Sequence, residues 1–179
     1  MAQVGLKNIY YAKMESDTSS ATTYATPEKI GHAISVEINI EEETASLYGD
    51  DAERDTYHQF KKATVTIGTT DIPLKDEAII LGHKYDSDTS TLIASGNDSA
   101  PYVALLFESD KQDGSTRCVK LLKGKFAPTQ EGYNTRGATF DYQTPSLEGT
   151  FIVRESDNQW KMVRDFAKGS NTSTWYTSV

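Results

Sequence analysis

Residues 33–40 alternate without a break: Ile34, Val36, Ile38 and Ile40 fall on one side of an extended strand, Ser35, Glu37 and Asn39 on the other. A period of two fits a half-buried β-strand and no helix. Residues 63–67 repeat it, with Ala63, Val65 and Ile67 set against Thr64 and Thr66. Each segment must turn one apolar face to a core and one polar face outward, as strands of antiparallel sheets do.

Between the two lies the polar stretch EEETASLYGDDAERDTYHQFKK, residues 41–62. It reads as a long inter-strand loop, and structureless connections of that length are usually functional or disordered. Leu47, Tyr48, Tyr57 and Phe60 sit within it. Apolar side chains on a connector either dock on a partner or pack back on the parent fold, and the sequence leaves both open.

The rest of the chain is predominantly β in pattern. One short helix is expected after Pro73, with Leu74, Ala78, Ile79 and Leu81 at helical spacing until Gly82 ends it. Residues 85–99 are rich in turn formers, with a short strand at 91–94. Two strong strands follow at 101–109 and 116–126, joined through Asp113-Gly114, a dipeptide suited to a hairpin turn. Their apolar runs YVALLF and CVKLLKGKF predict cover on both faces. Further strands are expected at 139–143, 148–154 and 159–163. Residues 1–12 read as an N-terminal arm, 13–28 as a flexible loop and 164–179 as a C-terminal segment. The sum is seven to nine strands with one flanking helix in a single domain of 179 residues, a β-sandwich or partly closed barrel.

Composition narrows the function by exclusion. A balance of 18 Lys+Arg against 26 Asp+Glu, net −8, argues against gripping nucleic acid through its phosphates. No apolar run approaches the roughly 18 residues of a membrane span. Residues 1–12 lack the apolar stretch of a signal peptide. One cysteine, Cys118, rules out an intrachain disulfide or a CxxC zinc site.

Catalytic signatures are missing too. There is no GxSxG, GxxxxGK[ST], HExxH or GxGxxG. His32, His58 and His83 are scattered, without a carboxylate or Cys at ligand spacing. Asp86 to Ser90 begins like a calcium loop but places Thr91 where the turn glycine belongs and Asn97 where the bidentate Glu belongs. The acidic clusters at 41–43 and 50–51 read as solvated faces, and Cys118, in an apolar strand, as an inert thiol. No enzymatic activity, cofactor or metal is expected.

Several blocks resemble, in order, the major tail proteins (tail tube proteins) of long, non-contractile-tailed phages of Gram-positive hosts. They are VGLKNIYYA at 4–12, ASLYGDD at 45–51, LGH at 81–83, APYVAL at 100–105, LKGKF at 122–126, QTPSLEGTF at 143–151 and the closing Trp175-Tyr176. The resemblance implies a structural virion protein that self-assembles into stacked hexameric rings around a channel. Its implied partners are further copies of itself, the tape-measure protein, and tail-tip and terminator proteins. DNA would pass without tight binding, no membrane is involved, and assembly would take place in the host cytoplasm.

On that reading Leu47, Tyr48, Asp50, Asp51, Tyr57 and Phe60 are candidate contacts between rings. Leu6, Ile9, Tyr10 and Tyr11 are candidate arm contacts to a neighbour. Ser35, Glu37, Asn39, Thr64 and Thr66 are candidate lumen-facing residues, where carboxylates and hydroxyls would hold DNA off the wall; an ordinary solvated sheet face is the alternative. Two other functions remain open: a monomeric β-sandwich binding carbohydrate or a cell surface through exposed aromatics, and a glycoside hydrolase with two facing carboxylates.

Overall fold

The computed structural model describes residues 2–49, 52–128, 135 and 144–179. Its strands are β1 (Lys7–Asp17), β2 (Thr22–Tyr24), β3 (Glu28–Lys29), β4 (Ala33–Gly49), β5 (Ala52–Thr69), β6 (Lys84–Asp86), β7 (Thr91–Ile93), β8 (Val103–Asp110), β9 (Thr116–Ala127), β10 (Ser146–Ile152) and β11 (Lys161–Phe166). One helix, α1 (Leu74–Leu81), follows β5, and a 3-10 turn spans Ser173–Tyr176. The strand expected at 139–143 falls outside the described residues.

Nine strands form one antiparallel sheet in the order β2-β1-β8-β9-β10-β5-β4, with β3 also on β1 and β11 also on β9. The fold is thus mainly β with one flanking helix. The sheet's terminal strands, β2 and β4, do not pair with one another among the described residues. β10 and β11 lie end to end along one side of β9: β10 pairs with residues 123–127 and β11 with residues 116–121. The hairpin β6–β7 stands apart as its own two-stranded sheet.

One side of the sheet carries the main core. Ile9, Val65, Leu105, Leu121 and Phe151 are fully buried there, with Ile72, Ile80 and Leu81 from α1 and the segment leading into it. The reciprocal packing of β9 on β10 is decided by two glycines. Gly124 lies opposite Phe151 and Phe126 opposite Gly149. A Cβ on Gly124 would stand 2.5 Å from the Phe151 ring, and one on Gly149 2.7 Å from the Phe126 ring. Each ring therefore fills the space its partner glycine leaves, and the two rings meet edge to face at 5.8 Å.

Several expectations are corrected. Residues 41–49 and 52–62 are not a loop. β4 and β5 continue through them as a paired antiparallel ladder from Ala33↔Thr69 to Gly49↔Ala52, with register shifts at Ala33/Ser35, Glu41/Glu42 and Leu47/Tyr48. The stretch holds no proline, and its one glycine, Gly49, lies at the far end, so the ladder absorbs the last two irregularities without breaking off. Residues 7–12 are not a free arm but the first half of β1, paired with β8. Residues 13–28 carry the rest of β1, then β2, rather than a flexible loop. On α1 the buried stripe is Asp76, Ala78, Ile80 and Leu81, while Leu74 is 49% exposed. Gly82 ends the helix as expected, with φ 76° and its N–H donating to the Ala78 carbonyl.

Candidate assembly surfaces

The apolar side of β4 is only half used. Val36 and Ile38 pack on the core, whereas Ile34 and Ile40 remain 50% and 48% exposed. β4 ends the strand path, so its outer edge is unpaired among the described residues. A long edge strand with exposed isoleucines is a ready surface for pairing with another chain.

The polar side assembles the five residues expected to share a face. Registers place Ser35 opposite Gly68, Glu37 opposite Thr66 and Asn39 opposite Thr64. β10 extends the rows: Glu148 lies opposite Thr66, Thr150 opposite Thr64, and Lys125 of β9 opposite Thr150. Glu148, Thr150 and Lys125 went unassigned in the sequence because their strands are far away in the chain. Alternation at 148–152 was the local signal, but only pairing tells which side joins Glu37.

Charge on this face is uneven. Glu37 and Glu148 flank Thr66, two strand spacings or roughly 10 Å apart, and neither has an ion-pair partner among the described residues. Glu41 is matched by Lys62 at 3.2 Å. Lys125 rests over the Tyr102 ring, 4.5 Å from its centroid. The face is therefore hydroxyl-rich with two uncompensated carboxylates.

The outer part of the β4–β5 hairpin is a two-stranded ribbon. Residues 41–46 and 54–59 are all exposed, and Tyr57, opposite Ala45, is 62% exposed. Phe60 is the exception: it stacks on Trp160 at 4.4 Å with 9° between the rings. Phe60 therefore anchors the ribbon's base to its own chain, contrary to its expected role between rings. Asp50, Asp51 and the side chains of Leu47 and Tyr48 lie outside the described residues.

The expected arm contacts fall mostly inward. Ile9 is fully buried and Tyr11 is 2% exposed in the main core, so neither is free to reach a neighbour. Burial foremost, and the nearby Asp76 carboxylate, raise the Tyr11 phenol above its ordinary value. Tyr10, on the opposite side of β1, packs against Tyr176 with centroids 4.6 Å apart. Leu6 is half-buried.

No group of three or more His, Cys, Asp or Glu is placed to hold a metal among the described residues. His83 Nδ1 lies 2.8 Å from Asp98, and His58 lies beside Thr44 and Glu42 on the ribbon, each a separate local contact. Burial first, and the Glu108 carboxylate next, push the Cys118 thiol up to about 12. Among the described residues no helix is long and apolar enough to cross a membrane.

A curled antiparallel sheet, with an open edge, a projecting ribbon and a polar outer face, defines a β-rich building block. Residues 1–163 match the family model for phage tail tube proteins, and the chain belongs to that family. Its role is accordingly structural, as a tail-tube component of a virion. No curated protein matches the sequence.

Proposed function

We propose that the protein forms hexameric rings that stack into the tail tube of a long, non-contractile-tailed phage of a Gram-positive host. Within a ring, the open edge of β4 pairs with a neighbouring subunit's sheet. Between rings, the β4–β5 ribbon docks on the next layer, with Tyr57 as an apolar anchor. Rotation that closes gives the ring, and translation that does not close gives the tube. The face carrying Ser35, Glu37, Asn39, Thr64, Thr66 and Glu148 lines the channel. Tape-measure, tail-tip and terminator proteins meet the assembled tube, which forms in the host cytoplasm.

The observation that carries this reading is the ribbon. A two-stranded hairpin is marginally stable in water on its own, and this one has solvent on both faces from residue 54 to residue 59. A neighbour's surface supplies the missing cover. The carboxylates at Glu37 and Glu148 fit a channel that passes DNA, because like charge keeps phosphates off the wall whereas arginines there would hold them.

Negative-stain microscopy of concentrated purified protein tests the assembly, with rings or tubes bearing a central channel as the expected result. Persistent monomers under all conditions, including in the presence of a tail-tip complex, would overturn it. The channel assignment has its own test: Glu37→Arg should leave tubes intact and slow genome passage, and normal infectivity of the variant would refute it.

A further inference from the structure

Residues 167–179 cross the polar side of the sheet at the end away from the carboxylate rows. Beneath them Ala12, Ala104, Leu106 and Cys118 are buried, and Phe166 and Trp175, each 9% exposed, complete this second cluster. Trp175 meets Phe166 edge-on at 6.1 Å, and Tyr176 covers Tyr10. This cover explains why β8 is buried on both faces.

The cover is held lightly. The segment forms no strand, and its backbone bonds, from Ser170 N–H to the Ala167 carbonyl and from Trp175 N–H to the Thr172 carbonyl, close local turns. Lys120 ties it to the sheet, donating from Nζ to the Ser178 carbonyl at 2.6 Å while lying 4.4 Å from the Trp175 ring centroid. The Trp175 Nε1–H is buried without a hydrogen-bond partner among the described residues. An unpaired buried donor costs free energy in the closed arrangement. Residues 167–171 are exposed, and Gly169 has φ 78° with nothing within 4 Å of where a Cβ would stand. Glycine suits this left-handed turn, which other residues adopt only with strain. The family match stops at residue 163, before this segment begins.

We propose that residues 167–179 are a strap that opens as a unit while the sheet stays folded, uncovering the face of Tyr10, Leu106 and Cys118. The strap keeps this second apolar face out of water in the free subunit, and local opening makes it available without unfolding the main core. The proposal stands apart from the channel and ring assignments, so their failure leaves it intact.

Cys118 reports the opening. With its thiol raised by burial, the closed state holds almost no thiolate near neutral pH. An aromatic disulfide reagent, whose coloured thiolate leaves as Cys118 forms the mixed disulfide, therefore reads the open state in the full-length chain. The wild type should label in buffer at a rate nearly independent of low urea, while amides of β8 and β9 stay protected from exchange. Trp175→Ala should label at least tenfold faster, and Lys120→Met several-fold faster, with the urea midpoint of the sheet little changed. Leu147→Ala, in the main core, should lower that midpoint and leave the labelling rate in buffer unchanged. Labelling that rises with urea along the full slope of global unfolding would overturn the proposal. So would a Leu147→Ala chain that labels as fast as Trp175→Ala.

Discussion

Lys123 of β9 places its ammonium 2.6 Å from the Asp17 carboxylate at the end of β1, with both side chains more than nine-tenths buried. Asp17 also accepts from the Thr22 hydroxyl at 2.7 Å and from the Glu155 N–H at 3.1 Å. One carboxylate thus joins the β1–β2 turn, β9 and the excursion between β10 and β11. Breaking one side of a buried pair strands the other charge, so Asp17→Ala should cost about 3 kcal/mol. Replacing both by apolar residues, Asp17→Leu with Lys123→Met, should recover most of that loss. Urea denaturation of Asp17→Leu, Lys123→Met and the double variant measures the coupling.

The same carboxyl sets an acid limit. Burial opposes its ionisation, but the Lys123 and Thr22 hydrogen bonds and the Glu155 N–H outweigh it and hold it below its usual range. Its contribution to stability is therefore complete above the unfolded carboxylate value of about 4 and is lost as pH falls through the lower folded value. Asp17→Asn should flatten the fall of the melting temperature as pH drops below about 4. An unchanged acid profile would show that other carboxylates carry it.

Gly124→Ala and Gly149→Ala should each destabilise the sheet by about 1–3 kcal/mol, because the added methyl meets an aromatic ring across the strand pair. Pairing Gly124→Ala with Phe151→Leu should relieve part of the loss. Thermal melts of the variants test this.

The Tyr11 hydroxyl donates to Asp76 Oδ1 at 3.1 Å, linking β1 to the first turn of α1 in a buried setting. Tyr11→Phe removes that donor from a buried carboxylate and should cost about 1–3 kcal/mol. A change below about 0.5 kcal/mol would show that water replaces the phenol.

Phe60→Ala should loosen the ribbon without unfolding the sheet, since the lost stack is worth about 0.5–1.5 kcal/mol beyond its buried area. Amides of residues 42–49 and 52–59 should then exchange faster while those of β8 and β9 do not. If tubes form, Tyr57→Asp should abolish stacking and leave monomer stability unchanged.

Local pattern was sufficient for much of this. Alternation at 33–40 and 63–67 specified two strands and their polar faces, and Pro73 and Gly82 bracketed the helix. These signals work because side-chain direction in a strand depends only on parity. The same logic failed at 41–62, where strand-compatible residues without an apolar face look like loop. Only continuation from the core-anchored halves of β4 and β5, across a register shift at Glu41/Glu42, carries the ladder outward.

What the sequence alone determined was a β-rich, acidic chain whose order of blocks resembles a tail tube protein, with Ser35, Glu37 and Asn39 sharing one face. Tertiary structure decided which distant strands meet that face, bringing Glu148, Thr150 and Lys125 beside it. It also turned Ile9 and Tyr11 into the core and laid Trp175 and Tyr176 over Cys118. The reason is physical: parity fixes two sides of a strand, but which side is buried depends on what lies across it. That cover comes from residues distant in the chain.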